Sequence, residues 1–133
     1  MLESIRLGKR AKNQLVSLKR KTGISNWNIL CRWAFVLSIA EPSRPRRVTE
    51  SLDEGVEMTW RTFGGEYTEI YEALLTKRCI DDGVPLSPTD MSQQFRFHVY
   101  RGIGYLAAGK RISNIGDLAT LSTSNNLHAT ASI

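Results

Sequence analysis

The sequence predicts a mainly α-helical fold, a compact domain of about four to five helices with at most one short β segment near residues 56–61. Three observations lead there. Apolar residues recur at helical spacing over residues 9–22, 27–40, 66–81 and 90–108. Glycine and proline punctuate the chain between those stretches, at Gly23, Pro42, Gly64-Gly65 and residues 83–88. Strand-like alternation is short, with Val56, Met58 and Trp60 interleaved by Glu57, Thr59 and Arg61.

The first helix covers residues 9–22. On a wheel of about 100° per residue, Ala11, Leu15 and Leu18 gather on one side. Lys9, Lys12, Lys19 and Arg20 fall on the other, with Arg10 and Lys21 flanking them. The helix stops at Thr22-Gly23, where glycine takes a left-handed C-terminal position without strain. Cations in its last turn suit the negative end of the helix dipole.

The second helix, residues 27–40, has Ser25 or Asn26 as its cap. It is apolar nearly all round, interrupted by Arg32 and Ser38. A helix without a polar face must be covered on every side. Two arrangements satisfy this: a central core helix, or a helix with one face closed by a second copy. A 15.0 kDa chain seldom wraps a helix completely, which favours an oligomer interface through Ile29, Trp33, Val36 and Leu37.

Glu41-Pro42 ends this helix and opens a loop over residues 41–55. Arg44, Arg46 and Arg47 in that loop either extend a basic surface or keep the loop soluble. The strand at 56–61 needs a partner from its own chain or from a neighbour, because one strand alone is marginal. In helix 66–81, Tyr67, Ile70, Tyr71, Leu74 and Leu75 share a side, and Glu66 and Glu69 favour the positive end of the dipole. The last long helix, 90–108, follows a Ser87 or Thr89 cap and carries the stripe Met91, Phe95, Val99, Gly102 and Leu106. Gly102 and Gly104 each cost about 1 kcal/mol of helix propensity against alanine; close approach of another backbone would explain them. Ile115, Leu118 and Leu121 suit one short further helix. The expected organisation is a single helical domain over 1–121 and a flexible tail over 122–133, rich in Ser, Thr, Asn and Ala.

The functional signal is charge asymmetry. Residues 1–32 hold eight Lys/Arg against Glu3 alone, a net of +7, while residues 33–133 carry ten Lys/Arg against twelve Asp/Glu. A basic run nearly free of acids is not explained by Glu–Lys pairing along a helix. It points to a polyanion, most simply nucleic acid. Asn13 and Gln14 are the only amides on that helix, too few for a base-reading surface, so backbone contacts are expected to dominate. The acidic face of Glu66, Glu69 and Glu72 reads as a solvated surface or a place for a partner protein.

Several classes are disfavoured. No HExxH, GxSxG, P-loop or metal-spaced Cys/His set is present, so no catalytic residue, metal or cofactor is expected. Arg101-Gly102-Ile103-Gly104 follows a helical pattern and not a strand, which argues against a dinucleotide loop. His98 is read as a half-buried structural histidine, and His128 lies in the tail. Cys31 and Cys79 read as reduced, buried thiols. No apolar run reaches the roughly 18–20 residues of a membrane span, and charges from Glu3 to Lys21 leave no signal peptide. A cytoplasmic location and no membrane partner are therefore expected.

Three segments resemble a known family: LKRKTGISNWNILCRWAFVLSIAEPS (18–43), TFGGEYTEIYEALLTKRC (62–79) and FRFHVYRGIGYLA (95–107). Their content and order are similar to DndE, the small member of the bacterial DNA phosphorothioation system. The resemblance covers roughly residues 4–108. It implies a helical homotetramer without enzymatic activity that binds double-stranded DNA, nicked DNA preferentially, alongside the other phosphorothioation proteins. The charge map then suggests the phosphate contacts: Lys9, Lys12, Lys19, Arg20 and Lys21, with Arg10 and Arg46 as outer candidates. Two other readings stand beside this one. A small helix-turn-helix regulator would need helix 27–40 to expose polar residues, which it has few of. A scaffold for the other modification proteins would use the cations to meet acidic protein surfaces.

Overall fold

The computed structural model of the chain describes residues 2–108. Its elements run β1 (Ser4–Leu7), α1 (Lys9–Thr22), α2 (Trp27–Ala40), β2 (Val56–Thr59), α3 (Trp60–Gly64), α4 (Thr68–Asp81) and α5 (Pro88–Ala108). One turn of 3-10 helix, Gly65–Tyr67, leads into α4. Among the described residues the fold is mainly helical, with four long helices, one short one and a two-stranded antiparallel sheet. The expected helix near 115–121 and the tail over 122–133 lie outside the described residues.

The strand partner comes from the chain's own beginning. Ser4, Ile5, Arg6 and Leu7 pair with Thr59, Met58, Glu57 and Val56 respectively. Ile5, Leu7 and Val56 point inward and are buried, while Arg6 and Glu57 face solvent across the ladder. The expected strand over 56–61 ends early, at Thr59. There the Thr59 hydroxyl accepts the Thr62 N–H at 3.0 Å and caps α3, so Trp60 and Arg61 are helical. The turn swings the Trp60 indole into the core, where it stacks on Phe63 with centroids 5.1 Å apart.

The first two helices have the bounds their sequence signals imply. Ala11, Leu15 and Leu18 are buried as the inner face of α1, and Gly23 closes it at φ 75° with its N–H on the Lys19 carbonyl. At the other end of the chain Ser87 accepts the Asp90 N–H at 3.1 Å, placing Pro88 in the first turn of α5.

The core forms around the pairing of α2 with α5. Phe35 from α2 meets Phe63 at 6.0 Å and Phe95 at 5.0 Å, and Trp60 and Tyr71 complete an aromatic cluster. Each ring buried here contributes on the order of 1.5–3 kcal/mol through lost water contact. Met91, Phe95, Val99, Gly102 and Leu106 all lie inward on α5. At Gly102 the two backbones touch: a Cβ there would sit 1.8 Å from the Ala34 carbonyl oxygen.

Two arginines lock the end of α2. Arg78, buried on α4, donates to the Ile39 carbonyl at 3.0 Å and to Asp82 at 2.9 Å, and also reaches the Pro42 and Ser43 carbonyls. Arg101 donates to the Ser38 hydroxyl and carbonyl, both at 2.8 Å, and to the Ser43 carbonyl at 2.8 Å. Two of the last carbonyls of α2, those of Ser38 and Ile39, are thereby satisfied where helical geometry leaves them without partners.

Candidate nucleic-acid interface

The cations of α1 are ordered by its geometry. At 3.6 residues per turn Lys9 lies in line with Arg20, Arg10 with Lys21, and Lys12 with Lys19. The result is three rows, two of them about 16 Å long at 1.5 Å per residue. The first turn holds no acid, so the positive end of the dipole adds to the cations placed there.

Not all eight N-terminal cations are available. Arg32 faces α3, where its Nε donates to the Phe63 carbonyl beside an Asn28–Thr62 bond of 3.0 Å, and it belongs to the packing. Lys9 pairs with Glu54 at 3.3 Å, but both side chains are largely exposed, so the pair contributes about 1 kcal/mol at most and screens easily. The Lys19 ammonium sits 3.4 Å from the centroid of the Trp27 ring, which anchors it against α2. Among the described residues Arg10, Lys12, Arg20 and Lys21 form no ion pair with an acid.

Of the three loop arginines, Arg44 turns toward α4 and donates to the Asp82 carbonyl at 3.4 Å. Arg46 turns the other way. It joins Arg10 and Gln14 of α1 at a cleft of about 420 Å³ whose far wall is α5. That wall contributes Arg101, which the sequence reading overlooked, with Tyr100, Gly104 and Tyr105. Glu50 is the single acid of the lining. It packs on Gly8 beside the Tyr100 hydroxyl, which accepts the Gly8 N–H at 3.0 Å, and its buried Oε1 has no hydrogen-bond partner among the described residues. Burial first, then Glu50, pushes the Tyr100 phenol up to about 12. Burial and then Arg78 lower Arg101 from its ordinary value, while Tyr105 and the acids Glu41 and Asp82 act in the other direction.

The chemistry elsewhere is closed off. Ser38 Oγ lies 2.8 Å from His98 Nδ1, the spacing of a nucleophile and its base, yet both residues are 0% exposed. His98 is thus fully buried and not half-buried as its place at the stripe edge suggests. Desolvation first, then Arg78 and Arg101, hold it down at about 3. Burial pushes the Cys31 thiol up to about 12 and also raises Cys79, where Asp82 adds to the effect. Among the described residues no three His, Cys, Asp or Glu side chains converge as a metal site, and no helix is long and apolar enough to cross a membrane.

The expected outer face of α2 divides. Leu37 is 5% exposed and packs in the core of its own chain, which removes it from that face. Ile29, Trp33 and Val36 remain outside and line a shallow groove with Arg32 and Tyr71. Tyr67, Ile70 and Leu74, all exposed, lie on the same side of the neighbouring segment as Tyr71. As the packed centre of the domain, α2 is unsuited to entering a DNA groove as a recognition helix.

A family model described as DNA sulphur modification protein DndE matches residues 4–114. The chain belongs to the DndE family. Among solved structures it resembles DndE from Escherichia coli B7A, described as involved in DNA phosphorothioation modification. The identity is 28% and the TM-score 0.68, covering 80% of this chain and 98% of that one. It also shares the fold of a DndE variant with glycine-to-lysine substitutions, at 23% identity and a TM-score of 0.64, covering 82% of this chain and all of that one. No curated protein matches it by sequence. A DndE-family member is thus a protein of DNA phosphorothioation.

Proposed function

We propose that this DndE-family chain is a non-enzymatic accessory of DNA phosphorothioation that grips the sugar–phosphate backbone of double-stranded DNA with little regard for sequence. The observation that carries this is the set of cation rows on α1, with Arg10, Lys12, Arg20 and Lys21 unpaired among the described residues. Lys9, Lys19 and Arg46 add to the same surface. Such contacts release counterions, so about five phosphates per subunit give a log–log salt slope of roughly −4.5. The groove of Ile29, Trp33 and Val36, continued by Tyr67, Ile70 and Leu74, supports assembly into an oligomer, a tetramer in the family picture. Assembly multiplies a modest grip per subunit. A nick is a hinge that makes bending the duplex over such a surface cheap, which supports a preference for nicked DNA. The cytoplasm, where the other phosphorothioation proteins meet DNA, is the place for this activity.

The test is fluorescence anisotropy on nicked, sealed and pre-bent sealed duplexes across a salt series, with light scattering for subunit count. Replacing Lys12, Arg20 and Lys21 by Glu should cut affinity at least about tenfold and flatten the slope by roughly 2.7. Unchanged affinity would overturn the assignment in favour of a protein-binding scaffold. Equal binding to straight and pre-bent sealed duplexes would overturn the hinge.

A further inference from the structure

The cleft beside α1 has more in it than a backbone grip uses. Arg10 and Arg46 stand exposed at its mouth, and Arg101 stands in its wall. The donors of Arg101 go to Ser38 and Ser43, which are neutral. Among the described residues none of the three guanidiniums lies within ion-pair distance of a carboxylate, and the one acid of the lining, Glu50, is half-buried against Gly8. The lining therefore carries three cations against one carboxylate, a net positive charge. Apart from Gln14 and Glu50 the remainder is apolar or aromatic, with Val48, Phe97, Tyr100 and Tyr105 its larger members and Tyr105 46% exposed. Gly104 leaves open space there: a Cβ would meet nothing within 4 Å. At about 420 Å³ the cleft has the size of a small-ligand site and is far too small for a duplex.

A cationic mouth over an aromatic floor is chemistry for an aromatic phosphate ester. We propose that this cleft takes one unstacked nucleotide from the end of a DNA strand, its phosphate on Arg10 and Arg46 and its base against Tyr105. The source of the nucleotide follows from position. Arg10 and Gln14 belong to α1, so the cleft is continuous with the row surface that is proposed to hold the duplex, and the inference rests on that reading for delivery of the strand. Extruding a paired nucleotide costs a few kcal/mol of stacking and pairing, which a strand end largely avoids. The cleft therefore distinguishes a broken strand from a sealed one by a means separate from bending.

Photo-crosslinking tests this with the full chain. A 5-iodouracil is placed at the strand end of a nick, or at the same position in a sealed duplex, and crosslinks are mapped by mass spectrometry. The expected product joins Tyr105 or Tyr100 to the terminal base, with a yield per bound duplex at least about fivefold above the sealed control. Gly104→Leu, which fills the cleft, and Arg46→Ser, on an exposed loop away from the core, should each lower that yield about fivefold or more. Crosslinks confined to α1, or a yield that neither variant changes, would overturn the proposal. Should the protein fail to bind any duplex, the row reading falls and a second arm decides the cleft alone. Deoxythymidine 5′-monophosphate at millimolar concentration should then shift the Tyr105 amide resonance in the wild type and not in Gly104→Leu. No shift in the wild type would overturn it.

Discussion

Gly102 and Gly104 sit two residues apart on α5, yet alanine should act on them in opposite directions. At either site alanine gains about 1 kcal/mol of helix propensity. At Gly104 nothing opposes that gain, because a Cβ meets no atom within 4 Å. At Gly102 the new methyl would lie 1.8 Å from the Ala34 carbonyl oxygen, 2.3 Å from its carbon and 2.5 Å from its Cα. Ordinary contact requires α2 and α5 to part by about 1.5 Å locally, and a gap of 0.5–1 Å already forfeits a quarter to a half of a dispersion well. The helices that separate carry Phe35, Phe95 and Val99, each almost fully buried. Backbone opposes the methyl, so no flexible side chain can yield. Overpacking typically costs about 1–3 kcal/mol, and a clash with backbone belongs at the top of that range, leaving a net loss of about 2 kcal/mol. For a domain of this size that lowers Tm by roughly 6–10 °C, whereas Gly104→Ala raises it by about 3–5 °C. Thermal denaturation followed by circular dichroism, at one fixed protein concentration because oligomers melt concentration-dependently, measures both. A Gly102→Ala variant as stable as the wild type would refute the close-approach reasoning.

Three further outcomes follow from the buried polar groups. His98 has a folded-state pKa far below its ordinary 6.5, at about 3, so the unfolded chain takes up a proton that the folded chain refuses. Stability therefore falls as pH drops from 6.5 toward 3, by up to about 1.4 kcal/mol per unit, and urea titrations should show a shallower decline in His98→Asn. Arg78→Ala leaves Asp82 and the Ile39 and Pro42 carbonyls without their donor, while Ser43 keeps Arg101, and should cost about 3–5 kcal/mol, read from the same titrations. Cys31 and Cys79, with thiol pKa values raised by burial, should resist iodoacetamide at neutral pH until the chain is unfolded, which mass spectrometry reports directly.

Local signals made the helices legible. The bounds of α1 and α2 follow from Gly23 and from Glu41-Pro42, features that act within a few residues. The apolar stripe of α5 is equally local, and so is the Ser87 cap. What stayed hidden depends on partners far along the chain. Ser4–Leu7 contains only two inward apolar residues, and its status as a strand comes from pairing with Val56–Thr59. Trp60 extends the alternation of β2, but the Thr59 cap and the pull of the aromatic core turn it into a helix. His98 looks like an edge residue on the wheel because its partner Ser38 is remote in sequence. Leu37 reads as outward on a helix apolar all round, where no polar face marks which side is in. The candidate site divides the same way. The cation rows are visible in thirteen consecutive residues, while the meeting of Arg10, Arg46 and Arg101 arises only when α1, the loop and α5 pack together. Arg32 shows the converse: counted among the basic residues, it is spent on the Phe63 carbonyl.

The small β ladder holds α1 from one side as Leu15 and Leu18 hold it from beneath and the Gly23 turn holds it from the other end. A helix secured at three places keeps its cations in register before any anion arrives. The ordering entropy that a disordered basic arm would lose at each encounter has already been met by folding. Association should therefore be quick, limited by diffusion and ionic strength, with little structural rearrangement of the protein. The same rigidity sets a boundary: a surface that does not reshape itself can select among DNA forms only by making the DNA adapt.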